Sequence, residues 1–437
     1  MESEALAHQV IAKLRDAGHQ AYLVGGCVRD LLLGVKPKDY DVATDARPDR
    51  IMDLFPRSGR VGAHFGVVLV RDVFDQVEVA TFRSDHDYLD GRHPEQVRFE
   101  SDPREDVLRR DFTINGLMMD PDTGTVLDFV DGRGDLARGV VRAIGDPNAR
   151  FREDHLRLLR AVRFAARFGF EIDPATFDAM QRAHALILNM AMERVREELV
   201  RILTEGGARR GFELLDASGM LSDLLPEVAA MKGVEQPPEY HPEGDVWQHT
   251  LLLLEQLRQP TPTLALGALL HDVGKPPTFR VADRIRFDGH VEEGVRLARS
   301  ILTRLRFSRE EMEQVEALVD NHMRFKDVGR MKESTLKRFL RLPEFQDHLE
   351  LHRLDAMSSN RRLENYEIAK SKFEEYTAEH LQPAPLLTGA DLIGMGYKPG
   401  PQFSRILAVL EDAQLEGRIQ SQDEAMDLVR LTFPLEC

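Results

Sequence analysis

The 437-residue sequence is poor in cysteine and has no long apolar segment. Its two cysteines, Cys27 and Cys437, are far apart, which excludes a disulfide framework or a cysteine-based zinc cluster. No apolar run approaches the roughly 18 residues that a membrane-spanning helix needs. The acidic N-terminal stretch MESEALAHQV is typical of an amphipathic helix and not of a signal peptide. These features predict a cytoplasmic protein with no membrane partner.

The net charge of −16 argues at first against a nucleic-acid partner. The distribution of charge matters more than its sum, because salt screens each phosphate beyond about 10 Å. Between residues 133 and 170 the sequence has nine arginines and no lysine against four acidic residues. Arginine favours bidentate or stacked contacts over diffuse attraction. Composition leaves two interpretations open, a surface that contacts RNA and an ordinary solvated helix face.

Three kinds of sequence follow one another along the chain. Short β-rich runs such as AYLV and VEVATF alternate with glycine-containing turns in the first third, and helical periodicity follows. The loop QPPEYHPEGD precedes a second helical region, and LQPAP opens a helical tail. The sequence therefore predicts an α+β protein with four segments: a head (1–145), a helical neck and body (146–235), a second helical domain (236–376) and a short helical tail (377–437).

The first candidate site lies in VGGCVRDLLLGVKPKDYDVAT, residues 24–44. A predicted strand ends at Gly25 and Gly26, where a helix begins. Such a turn lets the backbone approach a phosphate, although an ordinary tight turn also explains the glycine pair. Asp39 and Asp41 are two residues apart in the next predicted strand, so both carboxylates should project from one face.

Two carboxylates this close repel each other unless a cation lies between them. Magnesium prefers carboxylate and triphosphate oxygens, and nucleotidyl transfer commonly uses two such ions. Glu78 in QVEVATF is placed to add a third carboxylate from a neighbouring strand. We predict Asp39, Asp41 and Glu78 as catalytic residues, with Asp39 and Asp41 as Mg²⁺ ligands.

At this point the sequence resembles the class II (bacterial-type) tRNA nucleotidyltransferases and the related poly(A) polymerases. GGCVRDLLLG followed by KDYDVAT resembles the catalytic head of that family, and RRDFTINGL resembles its ribose-recognising motif. VLDFVDGRGDL resembles the element that couples head to neck, and EDHLRLLRAVRF resembles the nucleotide-selecting motif. The four motifs occur in family order over about 140 residues.

The resemblance implies a polymerase β-like nucleotidyltransferase head, a mixed β-sheet with flanking helices, followed by helical domains. It implies that Gly25, Gly26 and Arg29 hold the triphosphate. It also implies that the ribose is surrounded by Arg110, Asp111 and Asn115.

Nucleotide choice can be considered from the residues of a predicted helix over 153–168. Asp154 and Arg157, at i and i+3, would present an acceptor beside a donor. Such a pair matches the pairing edges of cytosine and adenine and rejects guanine and uracil, with roughly 1–3 kcal/mol per bidentate contact. The alternative is a helix stabilised by ordinary pairs such as Glu153–Arg157. The resemblance assigns Glu153, Asp154 and Arg157 to base recognition. We predict as further nucleotide-binding residues, from the same helical stripe, Arg160 and Arg163.

A second constellation lies in the helical region after residue 236. ALGALLHDVGK predicts a buried helix ending at Gly274, with His271 and Asp272 in its last turn, where both can reach one metal. This region resembles the HD-type metal phosphohydrolases, a domain also attached to some tRNA nucleotidyltransferases. A domain that only grips RNA is the alternative to hydrolysis. The predicted ligands of a divalent transition metal are His249, His271, Asp272 and Asp355, with His290 and His322 available for a second metal.

The sequence thus predicts an enzyme that adds CCA to the 3′ end of tRNA from CTP and ATP without a template. An A-adding enzyme and a poly(A) polymerase share the head motifs. An HD phosphohydrolase with an RNA-binding head is the alternative from another class. The C-terminal sequence is acid-rich, whereas poly(A) polymerases tend to end in a basic extension. The polar segment 83–99 predicts a loop of the kind that CC-adding relatives tend to lack. No DNA partner is expected.

Overall fold

The computed structural model of the protein describes residues 3–60, 66–88 and 94–435. The chain forms two compact units: unit 1 is Met1–Ala229 with Arg304–Phe307, and unit 2 is Ala230–Thr303 with Ser308–Cys437. None of the described helices combines the length and apolar character needed to cross a membrane. The finer four-segment division stays a prediction.

Unit 1 contains a mixed sheet, two small β-ribbons and helices. Its strands are β1 (Ala21–Val24), β2 (Asp41–Thr44), β3 (Ser58–Arg60), β4 (Val67–Arg71), β5 (Gln76–Thr81), β6 (Arg83–Tyr88), β7 (Pro94–Phe99), β8 (Leu117–Met119), β9 (Val126–Asp128), β10 (Val140–Val141) and β11 (Glu171–Ile172). Its helices are α1 (Ser3–Asp16), α2 (Gly26–Leu32), α3 (Pro48–Leu54), α4 (Pro103–Leu108), α5 (Gly132–Arg138), α6 (Pro147–Glu153), α7 (Arg157–Phe168), α8 (Pro174–Ala183), α9 (Met192–Thr204), α10 (Ala208–Ser218), α11 (Met220–Leu224) and α12 (Pro226–Ala229). Short 3₁₀ turns cover Thr113–Asn115 and His184–Asn189.

The main sheet has the strand order β3-β4-β5-β2-β1-β8-β9. β2 and β5 run parallel, and every other neighbouring pair is antiparallel. Alternate residues of β5, Val77 and Val79, pack with α1 in the larger core, because successive side chains of a strand point to opposite faces. A smaller cluster that includes Phe82 covers the other face. The mixed-sheet α+β fold that the sequence predicted is confirmed.

The prediction of a loop over the polar segment 83–99 is wrong for the part of the segment that the structure describes. β6 and β7 pair antiparallel from Arg83 opposite Phe99 to Tyr88 opposite Pro94, and residues 89–93 lie outside the described part of the chain. The segment lacks the apolar alternation by which a half-buried strand is recognised, so periodicity gave no strand signal. The hairpin depends on backbone pairing that composition does not encode.

The predicted helix over 153–168 is interrupted. α6 ends at Glu153, Asp154 has an extended backbone (φ −141°, ψ 104°), and α7 begins only at Arg157. The Asp154 carboxylate accepts a hydrogen bond from the Leu156 N–H at 3.1 Å, a local bond that competes with helix formation. The prediction of one continuous helix was therefore wrong at its first turn. The apolar stripe of α7 is confirmed by the complete burial of Leu158, Ala161, Val162 and Ala165.

Unit 2 is mainly helical. Its helices are α13 (Val246–Gln256), α14 (Pro262–Leu270), α15 (Lys275–Thr278), α16 (His290–Arg304), α17 (Arg309–Asn321), α18 (Glu333–Leu340), α19 (Phe345–Ser358), α20 (Glu364–Glu375), α21 (Ala378–Leu381), α22 (Gly389–Gly394), α23 (Pro401–Leu415) and α24 (Gln422–Thr432). The strands β12 (Arg280–Val281) and β13 (Ile285–Arg286) form a small hairpin, and a 3₁₀ segment covers His322–Arg330.

The helix that carries the His-Asp pair ends earlier than predicted. α14 stops at Leu270, so His271 is its C-cap and Asp272 lies in the following turn. Pro276 and Pro277 explain this end, since neither has the N–H that would bond to the carbonyls of Asp272 and Val273 in a continued helix. Gly274 lies against α16, where a Cβ would come within 2.1 Å of the His290 carbonyl oxygen.

We expect Phe82→Ala to destabilise unit 1 by about 3–5 kcal/mol, because the substitution leaves a cavity in a packed cluster. Phe82 is fully buried with Val24, Ala43 and Val107. Phe74 is 83% exposed, so Phe74→Ala serves as the matched control and should change stability by no more than about 0.5 kcal/mol. Urea unfolding followed by a probe in unit 1 measures both, and equal effects would contradict this packing.

Candidate catalytic and metal-binding sites

The sheet of unit 1 brings carboxylates together at β2 and β5. The parallel register places Asp41 directly opposite Glu78. Asp39 lies two residues earlier, just before β2 and not within the strand as predicted, and the intervening Tyr40 is buried in the core. Burial and the charge of Glu78 raise the pKa of Asp41 to about 6, with Asp39 adding to the effect and Arg110 opposing it.

This raised pKa reflects mainly the burial of Asp41 and, after it, the neighbouring negative charges that Arg110 only partly compensates. A cation beside Asp41 would relieve the repulsion, so the donor set fits a hard divalent ion such as Mg²⁺. Within the described part of the chain, sets of three ligand atoms lying within 4.8 Å of one another occur in unit 2 and not here. The head carboxylates are thus adjacent in register but more widely spaced than the histidine cluster of unit 2.

The Gly25–Gly26 turn lies beside an arginine. Gly25 has φ +72°, and a Cβ at this position would lie 2.9 Å from Nη1 of Arg110. Both the left-handed backbone and the close guanidinium therefore require glycine. Arg110 is anchored through Nη2 to Oδ2 of Asp106 at 2.9 Å. The structure thus places the positively charged guanidinium of Arg110 next to the turn at which α2 begins.

Four residues of the predicted nucleotide site form one hydrogen-bond network, and three of them are buried. Asn115 Nδ2 donates to Asp111 Oδ1 at 3.0 Å, and Asn115 Oδ1 accepts from Arg29 Nη1 at 2.7 Å. Arg160 Nε donates to Asp111 Oδ2 at 2.8 Å. Burial alone would raise the pKa of Asp111, but the charge of Arg160 and the bond from Asn115 outweigh burial and lower it to about 2. Asp111 is therefore ionised at neutral pH.

Arg29, which the resemblance assigns to the triphosphate, is engaged by side chains of the protein itself. Its guanidinium is buried, donates to Asp30 Oδ1 and to Asn115, and lies over the rings of Phe164 and Phe168 at 5.1 and 4.7 Å. Its polar atoms hold neighbouring side chains in place. The geometry favours an orienting role for Arg29 over direct contact with phosphate.

Asp154 and Arg157 are not a donor–acceptor pair on one helix. Arg157 donates through Nη1 to Glu153 Oε2 (2.7 Å) and the Arg150 carbonyl (3.1 Å), and through Nη2 to the Arg109 carbonyl (2.9 Å). The ordinary Glu153–Arg157 pair that the sequence left open as an alternative is therefore present. Asp154 lies in the extended link between α6 and α7.

The remaining arginines of α7 are paired inside unit 1. Arg163 is buried and donates to Glu198 at 2.7 Å and to Glu205 at 3.3 Å, and Arg167 also donates to Glu205. Sequence analysis missed both glutamates, because they lie on or next to α9 and no local pattern links them to α7. The predicted direct contact of Arg163 with a nucleotide is not supported by this burial.

In unit 2 the predicted metal ligands converge. His249 Nε2 lies 3.1 Å from Asp355 Oδ1 and 3.3 Å from His271 Nε2. His271 Nε2 lies 3.2 Å from Asp272 Oδ2. Three of the side chains come from different helices or helix ends, and the turn after α14 supplies Asp272. These are the four residues that the sequence predicted together.

The tautomers of the histidines suit metal binding. Nδ1 of His271, His290 and His322 lies 3.0, 2.9 and 2.6 Å from the carbonyl oxygens of Ala268, Phe287 and Val319. Carbonyls only accept, so Nδ1 must donate and Nε2 keeps its lone pair for a ligand. Nε2 of His290 and of His322 is buried without a hydrogen-bond partner among the described residues. The donor set therefore fits a divalent transition metal.

The ligand atoms form two groups. His249, His271 and Asp355 make one set, and Asp272, His290 and His322 make another, each with its atoms within 4.8 Å of one another. Asp272 was assigned to the first set from the sequence, but its two oxygens extend towards both. Burial lowers the pKa of His322 to about 4 and also lowers that of His290, so both are neutral at physiological pH.

Glu243 and His241 belong to this site and were missed in the sequence. Glu243 Oε1 lies 2.7 Å from His249 Nδ1 and 2.9 Å from His241 Nδ1. Burial lowers the pKa of His249, but its bonds to Asp355 and Glu243 outweigh burial and raise it to about 9. The His-x-Glu spacing in the loop before α13 was the available signal, and we had interpreted that loop only as a boundary.

A cavity of about 1100 Å³ opens over this site. Asp272, His290, His322 and Asp355 contribute to its wall. Beyond the predicted ligands, the wall carries three acidic side chains, Glu239, Asp288 and Glu364, and five positively charged ones: Lys275, Arg284, Arg286, Lys326 and Arg362. A cavity that joins metal-ligand atoms to cationic side chains suits a phosphate-bearing molecule.

Three protein families match successive parts of the chain. The family described as "Poly A polymerase head domain" matches residues 21–142, and "Probable RNA and SrmB- binding site of polymerase A" matches residues 169–232. The family described as "HD domain" matches residues 245–376, which include the six predicted metal ligands but not His241 and Glu243.

The chain is also similar to proteins named CCA-adding enzyme. One from Levilactobacillus brevis is 44% identical over 219 residues, which cover 50% of this chain and 55% of that protein. The chain thus spans about half the length of the curated relatives that it matches at this identity. One from Streptococcus pneumoniae is 29% identical over 424 residues, covering 95% and 94%. The crystal structure of the Bacillus stearothermophilus CCA-adding enzyme in complex with CTP matches with a TM-score of 0.76 and 26% identity, covering 99% of this chain and 98% of that one.

We expect metal binding at the histidine cluster to release a proton. His249, with a pKa of about 9, is protonated below that pH and must become neutral to bind a metal. The apparent affinity for Mn²⁺ should therefore rise by up to about tenfold per pH unit between pH 6 and 8.5. Calorimetry in buffers of different ionisation enthalpy measures the proton count.

Glu243→Gln should reduce this proton release, because it weakens the bond that raises the pKa of His249. Glu239→Gln is the matched control, since Glu239 is exposed on the same cavity wall. A proton count of zero in the unsubstituted protein would contradict the protonated state of His249.

Proposed function

Because the chain belongs to the family of tRNA nucleotidyltransferases and poly(A) polymerases that carry an HD domain, we propose that it adds C, C and A to the 3′ end of tRNA. CTP and ATP are the proposed nucleotide substrates, and no template is used. One observation carries this proposal: the parallel register of β2 and β5 sets Asp41 opposite Glu78, with Asp39 two residues away.

Asp39, Asp41 and Glu78 would hold Mg²⁺, which when bound activates the attacking 3′-hydroxyl and stabilises the leaving pyrophosphate. The raised pKa of Asp41 supports this assignment, because the repulsion behind it disappears when a cation is present. The Gly25–Gly26 turn brings the backbone next to Arg110, whose guanidinium would supply a positive charge for the triphosphate. The protein's own part is to hold the triphosphate and the 3′ end in line.

In the proposed nucleotide site, Asp111 and Asn115 face the ribose, and Arg29 and Arg160 keep them in place. Base choice is assigned to Asp154 and Arg157. Asp154 would accept from the amino group of cytosine or adenine, and Arg157 would donate to the ring nitrogen. Arg157 must exchange one of its internal acceptors for the base, so selection involves a local rearrangement between α6 and α7.

A second activity is proposed for the HD site, the hydrolysis of phosphate esters. The observation that favours it is the convergence of histidine Nε2 atoms at a cavity with cationic side chains. His249, His271, Asp272 and Asp355 would hold a divalent transition metal, and His290 and His322 could serve a second one. A metal bound there supplies a nucleophilic hydroxide at neutral pH. The alternative, in which the domain only grips RNA, predicts no hydrolysis.

The two proposed activities should be separable by substitution. We expect Asp41→Asn to lower nucleotide transfer by at least about 100-fold, since even indirect changes at metal sites cost 10–100-fold. The same variant should keep phosphodiesterase activity towards 2′,3′-cyclic nucleotides. Asp272→Asn should do the reverse. Primer extension with Mg²⁺ on tRNA ending at the discriminator base and on tRNA ending in CC measures transfer.

Three added nucleotides followed by a stop would support CCA addition. A single A, added only to the CC-ended primer, would identify an A-adding enzyme, and a long A ladder on any RNA would identify a poly(A) polymerase. The absence of incorporation would leave the HD activity as the main function. If both activities disappeared together in Asp41→Asn, the assignment of separate sites would be wrong.

We expect Asp154→Ala to relax base choice while metal-dependent transfer remains measurable. Loss of the acceptor removes roughly 1–3 kcal/mol of discrimination against GTP and UTP. Asp178→Ala is the control, because Asp178 is exposed on α8 in the same unit. Single-nucleotide incorporation with each of the four nucleotides measures the ratio, and an unchanged preference for CTP and ATP would contradict the role of Asp154.

A further inference from the structure

Lys275 lies inside the HD site, although it is not one of the metal ligands predicted there. Its Nζ is 2.7 Å from Oδ2 of Asp272, the oxygen that also lies 3.2 Å from Nε2 of His271. Lys275 is 7% exposed, lines the cavity, and lies over the ring of Phe287 with Nζ 5.4 Å from the ring centroid. The ammonium is therefore the charge that neutralises Asp272 in the structure.

Gln236 provides a second donor at the same place. Its Oε1 accepts from Lys275 Nζ at 2.6 Å, which fixes the orientation of the amide because an ammonium can only donate. Its Nε2 is then a donor, and it is buried without a hydrogen-bond partner among the described residues. Gln236 is 4% exposed, and a buried donor left without an acceptor costs about 1–3 kcal/mol. Such a group is commonly matched by a ligand or a bound water.

We propose that Lys275, positioned by Gln236, is a phosphate-binding residue of the HD site, and that Asp272 holds its ammonium until a divalent cation takes over that carboxylate. The proposal rests on the proposed hydrolytic function. A divalent cation bound by Asp272 would draw on the negative charge of that carboxylate and so weaken its attraction for the Lys275 ammonium. The displaced ammonium then lies in the cavity wall, next to the metal-ligand atoms, where the phosphoryl oxygens of a substrate arrive.

Lysine suits this exchange better than arginine would. Its ammonium is a compact charge on a flexible four-carbon stem, so it can turn from a carboxylate to a phosphate without moving the backbone. The backbone itself is fixed, because Gly274 is packed against α16 with no room for a Cβ. Two other cationic side chains of the cavity wall, Arg286 and Lys326, are exposed, and Arg286 pairs with Asp283 instead of Asp272.

The test compares Lys275→Met with Lys326→Met in the full chain. Lys326 lines the same cavity but is exposed, so its substitution removes the same charge without touching Asp272. The probes are Mn²⁺ alone and then inorganic phosphate added to the Mn²⁺-loaded protein, both followed by calorimetry. For Lys275→Met we expect unchanged or tighter Mn²⁺ binding, because a competing cation is gone. Phosphate binding should weaken at least about tenfold, as expected for loss of a hydrogen bond to a charged group. Lys326→Met should weaken it by less than about threefold.

Lys275→Arg guards against a folding defect, since it retains the charge and should recover most of the phosphate affinity. If Lys275→Met loses Mn²⁺ binding as Asp272→Asn does, the residue is structural and the proposal is overturned. Equal phosphate affinity in Lys275→Met and the unsubstituted protein overturns it as well, while leaving the metal site intact. If the unsubstituted protein binds no Mn²⁺, the proposed hydrolytic function is wrong, and the role of Lys275, which depends on it, is wrong as well.

Discussion

A charge buried in a protein interior needs a partner, because its own hydration is lost, and this constraint organises unit 1. Arg160 pairs with Asp111, and Arg163 pairs with Glu198. The first pair joins α7 to the segment before β8, and the second joins α7 to α9. Removing one partner of the buried Arg163–Glu198 pair would leave an uncompensated charge at a cost of about 3–5 kcal/mol, whereas the partly exposed Arg160 would lose less. These contacts add directional constraints on α7 to the packing of its apolar stripe.

The candidate sites are the places where this compensation is incomplete. Asp41 and Glu78 face each other with Arg110 as a partial counter-charge, and the raised pKa of Asp41 records the remaining repulsion. In unit 2 the unsatisfied groups are the Nε2 lone pairs of His290 and His322, which have no hydrogen-bond partner among the described residues. Perturbed titration and unsatisfied donors or acceptors cluster at functional sites for this reason. We propose that a cation completes both arrangements.

Sequence patterns predicted the elements that depend on local periodicity. They did not predict the side-chain contacts between residues far apart in the sequence. The strands β1, β2 and β5 follow from β-branched runs, but β2 begins only at Asp41, so the alternation that predicted Asp39 and Asp41 on one face does not extend to Asp39. The break at Asp154 was missed, because a side-chain bond to the Leu156 N–H competes with the helical pattern. Glu198 and Gln236 were missed as well. Each is defined by a partner at least 35 positions away, Arg163 or Lys275, and no spacing rule reaches that far.

In the arginine-rich segment 133–170, the positive charge counted along the sequence is much larger than the charge that stays unpaired in the structure. Along the sequence, residues 133–170 carry more arginine than acid. In space, carboxylates from inside and outside the segment neutralise most of it: Arg138 and Arg142 with Asp135, Arg157 with Glu153, Arg160 with Asp111, Arg163 with Glu198, and Arg167 with Glu205. Long-range attraction depends on uncompensated charge, so this segment adds little to the field that a polyanion meets. The paired arginines of this segment are therefore a weak candidate for the RNA-contacting surface that composition left open.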